Sequence, residues 1–143
     1  MRTLIANNVE VNTRNVKGNT ALMAAITKGH IHTAKLLLKN GVYPNIKNTE
    51  GNTALIFSVH TITHVGITKL LIEKGVDVSA ANNQNETSLM YASWNGNKDI
   101  VKLLLANGAN VDQKNKNGDT ALELAKAKGH THIIQLLKKS GSK

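Results

Sequence analysis

The chain has 143 residues, no cysteine and a formal net charge of +9. Disulfides and thiolate metal sites are thereby excluded, and no apolar run is long enough to span a membrane. The length allows a substantial buried core, and the positive charge calls for a test of acidic partners, nucleic acid included.

Met1 to Asn12 aligns with a later stretch of the chain: Leu4-Ile5 matches Leu37-Leu38, and Val9 to Asn12 matches Val42 to Asn45. We read it as the stump of an earlier repeat in a longer protein, with a half-unit serving as N-terminal cap as the alternative. The first full unit opens on Gly18-Asn19-Thr20-Ala21-Leu22, and the phrase returns as Gly51-Asn52-Thr53-Ala54-Leu55, Asn85-Glu86-Thr87-Ser88-Leu89 and Gly118-Asp119-Thr120-Ala121-Leu122. The threonines are 33, 34 and 33 residues apart. A period of this size marks units that cannot bury their apolar faces alone and must stack on their neighbours.

Each threonine precedes helix formers and can accept hydrogen bonds from the orphaned amides of a first turn, which predicts a helix start. Gly29-His30 then introduces Ala34 to Lys39, whose apolar residues share one side of a second helix before Gly41. The later units repeat this with Ile67 to Lys74 before Gly75, with Gly96-Asn97 and Ile100 to Asn107 before Gly108, and with Gly129-His130 and Ile133 to Lys139. Gly41, Gly75 and Gly108 stand where a left-handed residue ends a helix. Each unit therefore predicts helix, turn, helix and an irregular projection.

With these residues in view the chain resembles the ankyrin repeat family. The Gly-x-Thr-Ala/Ser-Leu opening, the Gly-His turn, the paired leucines and the Gly-Ala-Asn-Val exit all look like its signature, and the opening recurs in four phased copies with Asn85 for the glycine in the third. The resemblance implies an all-α solenoid of paired antiparallel helices, with hairpin-like fingers roughly perpendicular to them and a concave surface. The expected organisation is one domain over 1–143: a partial repeat or cap at 1–14, full repeats at 15–47, 48–81 and 82–114, and a C-terminal capping repeat at 115–143, made polar by Glu123, Lys126, Lys128, Lys138 and Lys139.

Departures from the family pattern bear on stability. Ala21, Ala54, Ser88 and Ala121 stand in the family's proline place, and Met23, Ile56, Met90 and Glu123 in its histidine place. Threonine–histidine hydrogen bonds should be absent, leaving the core to apolar packing that includes Met23, Phe57, Met90 and Tyr91. The second unit has an extra residue between Val59 and His64 and Thr63 in place of the turn glycine, which predicts a loosened or bulged turn.

Chemistry finds little purchase. His30-x-His32 and His130-x-His132 have no cysteine or acidic cluster to complete a ligand set, and His30 and His130 share one slot at a helix start. The glycines follow the repeat period and do not cluster as a phosphate loop. We expect no catalysis, no cofactor and no metal. The lysines and arginines are spread over projections and both helices of the units, without the concentrated stripe and interleaved aromatics of a nucleic-acid site.

Recognition of another protein remains, and the resemblance carries contact positions over residue by residue. At the fingers these are Lys17 and Asn19, Glu50 and Asn52, Gln84 and Glu86, Asn117 and Asp119. At the ends of the first helices they are Lys28, His60, Trp94 with Asn95, and Lys128. They are expected to line one continuous groove. Trp94 stands where other units place Thr27, His60 and Ala127, so it does not serve the repeated core, and tryptophan often dominates interface energies. Its alternative role is to lie flat on the neighbouring inner helix. The expected product is a noncatalytic, cytoplasmic, monomeric binding module whose partner is a protein, one with an acidic surface among the candidates. The alternatives are a structural or self-associating segment of a longer repeat protein, and a basic nucleic-acid adaptor.

Overall fold

The computed structural model describes residues 13–60 and 65–141. The aligned stump at Met1 to Asn12, and the extra residue and Thr63 of the second unit, lie outside the described residues. The chain divides into two compact units, Met1–Val76 and Asp77–Lys143. Each contains two helix pairs among the described residues. The first has α1 (Ala21–Thr27), α2 (Ile31–Lys39), α3 (Ala54–His60) and α4 (Val65–Glu73). The second has α5 (Ser88–Asn95), α6 (Lys98–Ala106), α7 (Ala121–Lys128) and α8 (Thr131–Lys139). The architecture is the expected all-α solenoid of four helix-turn-helix repeats, and the described residues form no sheet, only isolated bridges Arg14 to Thr20 and Ala81 to Thr87.

Helices of seven to nine residues are too short to persist alone, so their stability must come from packing. In the first unit α1 packs on α2 and α3, and α4 on α2 and α3; in the second α5 packs on α6 and α7, and α8 on α6 and α7. Leu22, Ile26, Leu37, Leu55, Ile67 and Leu71 fill the first core, and Leu89, Ile100, Leu104, Leu122, Ile133 and Leu137 the second. Each such burial contributes about 1.5–3 kcal/mol. Met23 and Met90 join them as expected, whereas Phe57 and Tyr91 are only half-buried.

The predicted helix starts and stops are present. Thr20, Thr53, Thr87 and Thr120 accept from the amides of Met23, Ile56, Met90 and Glu123. The residue in the family's histidine place returns the bond in two repeats: Thr120 N–H donates to Glu123 Oε2 at 2.9 Å, and Thr20 N–H to the Met23 sulfur at 3.4 Å. At the other end, the amides of Val42, Val76 and Ala109 reach back to the carbonyls of Leu37, Leu71 and Leu104. Those of Gly41, Gly75 and Gly108 reach Leu38, Ile72 and Leu105. This double closure turns the chain sharply out of each outer helix and buries the residue that follows the glycine.

The projections are held by asparagine. Asn15 Oδ1 accepts from the amides of Lys17 and Asn19, Asn48 from Glu50 and Asn52, Asn82 from Gln84 and Glu86, and Asn115 from Asn117 and Asp119, all at 2.9–3.0 Å. The turn needs a left-handed residue, which is Gly18, Gly51 or Gly118 in three repeats and Asn85, at φ 60°, in the other. Neighbouring fingers are also stitched within each unit: Thr49 N–H and Oγ1 both donate to the Lys17 carbonyl, Asn48 Nδ2 donates to Asn19 Oδ1 at 2.8 Å, and Lys116 N–H donates to the Gln84 carbonyl. A Cβ on Gly18 would lie 2.9 Å from the Thr49 nitrogen, so that approach requires glycine.

Asn48 is buried and makes three of these bonds. Asn48→Ala should lower unfolding free energy by about 2 kcal/mol in urea titrations, because two amides and a partner amide oxygen lose their bonds. Asn85→Gly should raise it by about 0.5 kcal/mol, and Asn85→Val should lower it by about 1–2 kcal/mol, because only a β-branched side chain clashes strongly in the left-handed region.

Candidate functional site

The finger asparagines determine where the expected contact residues stand. The eight finger positions derived from the repeat are the very residues whose amides bind the asparagine oxygens. Their backbones are thus fixed at the tip of each turn, and their side chains vary on a constant frame. The signal was present in the sequence as Asn15, Asn48, Asn82 and Asn115, in phase with the threonines.

In the second unit the structure brings several expected residues together. Glu86, Trp94, Asn117 and Asp119 line a depression of about 340 Å³, with Met90, Tyr91, Asn115 and Leu124 completing its wall. Trp94 is 44% exposed. Its ring is therefore neither core nor fully presented to water, and the Lys128 ammonium lies 4.8 Å from the ring centroid. Gln84 and Asn95 are exposed and do not line this depression.

Three further contacts position these groups. The Tyr91 hydroxyl donates to Glu86 Oε2 at 2.6 Å, and Asn82 Nδ2 donates to the same oxygen at 3.0 Å, so the carboxylate is oriented by the helix on one side and the finger on the other. His130 Nε2 is 3.0 Å from the Trp94 carbonyl oxygen. A carbonyl only accepts, so this nitrogen carries the proton. The imidazole also fills the space at Gly96, where an added Cβ would lie 2.7 Å from it. The histidine at the start of α8 thereby clamps the end of α5 that presents Trp94.

The first unit carries the remaining expected contact residues. Lys17, Lys28, Glu50 and His60 are exposed, and Asn19 and Asn52 are half-buried. Asn19 spends its side-chain oxygen on the stitch to Asn48. On the outer helices, lysines gather more than their scatter along the chain suggests: Lys35, Lys39, Lys69 and Lys74 border one shallow depression with Glu73, and Lys98, Lys102 and Lys139 border another with His132. Among the described residues no group of three or more histidines, cysteines or carboxylates is placed to hold a metal ion, and no helix is long and apolar enough to cross a membrane.

Comparison with known families agrees with the repeat phasing. A family model described as ankyrin repeats (3 copies) matches residues 1–82, 29–115 and 69–143, which together span the chain. No curated relative matches it.

The ammonium over Trp94 should contribute about 0.5 kcal/mol, as is usual for an exposed cation–π pair. A double-mutant cycle with Lys128→Met and Trp94→Leu, read by thermal or urea unfolding, should return a coupling energy of that size. A coupling of zero would show that the contact carries no stabilisation.

Proposed function

The chain belongs to the ankyrin repeat family, and on that premise we propose that it is a noncatalytic module that binds another protein through its finger and inner-helix residues. The observation that carries this reading is Trp94. Tryptophan is enriched at interfaces, and this ring is 44% exposed in a depression also lined by Met90, Tyr91 and Leu124. Glu86, Asn115, Asn117 and Asp119 also line it, so an aromatic anchor and polar groups occur together as they do at protein interfaces.

The frame suits recognition because its parts have separate duties. Helix caps, closures and finger asparagines satisfy the backbone in every repeat, while the residues at the finger tips and at the ends of the inner helices are left free to differ. Lys17, Glu50, Gln84 and Asn117 share one register, as do Asn19, Asn52, Glu86 and Asp119. Lys28, His60, Asn95 and Lys128 add contacts from the helix ends.

Trp94→Ala should weaken the affinity for a partner by at least about 1 kcal/mol, with helicity and unfolding midpoint close to those of the parent. Titration calorimetry on a partner recovered by affinity capture measures the first and circular dichroism the second. An unchanged dissociation constant would remove Trp94 from the binding site.

A further inference from the structure

We infer that the depression of the second unit receives an arginine side chain from a segment of the partner protein. This rests on the protein-binding reading and goes beyond it in naming the chemistry that is recognised. Glu86 and Asp119 both line the depression, and neither has a cationic partner among the described residues. The same finger register holds Asn19 and Asn52 in the other repeats, so only here does it carry carboxylates. Tyr91 and Asn82 occupy one oxygen of Glu86 and fix the group without neutralising it.

The aromatic wall supplies the second half of the argument. Lys128, which is not among the residues lining the depression, lies over the Trp94 ring, so the indole already holds a cation in the folded protein. Lys128 is an exposed residue on a flexible stem and is a replaceable occupant. A guanidinium combines what an ammonium cannot: a flat face to stack on indole, and a fork of N–H donors to pair with a carboxylate. Its aliphatic stem would cover Met90 and Leu124. A depression of about 340 Å³ is at the small end of ligand sites, suited to one side chain and its immediate flanks.

The net charge of +9 does not oppose this. At physiological salt, charges separated by more than about 8 Å along the surface are largely screened, so the carboxylates in the depression act on a bound cation more strongly than the lysines of the outer helices. The charged residues that line the depression are both acidic, opposite in sign to the chain as a whole, and a partner chosen by the global charge alone would be acidic.

The test is selection from a library of short random peptides displayed against the whole chain, with counter-selection on Trp94→Ala. Peptides that depend on Trp94 should carry an arginine at one fixed position, and replacing it by citrulline, which keeps the shape and loses the charge, should weaken binding by about tenfold or more. Asp119→Asn and Glu86→Gln should each weaken the same peptides, and Lys128→Met should tighten them by removing the competing ammonium. Peptides that depend on Trp94 but tolerate citrulline, or that bind less well to Lys128→Met, would overturn the arginine site and leave the protein-binding reading standing. A selection that yields no peptide sensitive to Trp94→Ala, with both proteins folded by circular dichroism, would overturn both.

Discussion

A carbonyl oxygen on the side chain of an asparagine is the contact on which the surface of this protein depends. A finger reverses the chain near water without a sheet to receive its amides, and amides left unpaired as the fingers pack would each cost about 1–3 kcal/mol. Asn15, Asn48, Asn82 and Asn115 meet that demand locally by taking two amides each. The turn then needs no particular side chain at its tip. Lys17, Glu50, Gln84 and Asn117 can differ completely while the backbone beneath them stays the same.

The same division explains which features could be read from the sequence. Helix starts at Thr20, Thr53, Thr87 and Thr120, and stops near Gly41, Gly75 and Gly108, depend on residues within one turn of each other, so their spacing along the chain is enough to identify them. Two more local signals have the same character. Thr120 with Glu123 is a capping box legible from its spacing alone, and the periodic asparagines were as regular as the threonines. The bonds absent with the histidines are therefore replaced at Thr120, and in small part at Thr20, where a sulfur accepts the amide.

What spacing could not give was which side chains meet, whether within a repeat or across two. Tyr91 follows the apolar pattern of an inner helix and reads as core, yet its hydroxyl reaches the Glu86 carboxylate and leaves the ring half-buried in the wall of the depression. His130 reads as one member of a repeated Gly-His turn, and its partner proves to be the Trp94 carbonyl of the preceding repeat. The first joins residues five apart within one repeat, and the second joins residues 36 apart and depends on neighbouring repeats packing together. Four of the expected contact residues meet at this depression because the repeat register was right; Met90, Tyr91, Asn115 and Leu124 complete it because of how the helices pack.

Charge follows the same logic of local against global. Lysines of α6 and α8 border one shallow depression of the second unit, while Glu86 and Asp119 line the other beside Trp94. Solvent-exposed lysines keep a repeat protein apart from its own copies by repulsion and need no partner to be useful. Carboxylates beside a half-exposed indole are a different matter, since they surrender hydration when the ring is covered and regain it only if the covering group is a donor. An interface centred on Trp94 must therefore bring hydrogen-bond donors to Glu86 and Asp119. A neutral apolar partner would bury both carboxylates without a countercharge, at a desolvation cost that hydrogen-bond donors from a cationic partner would offset.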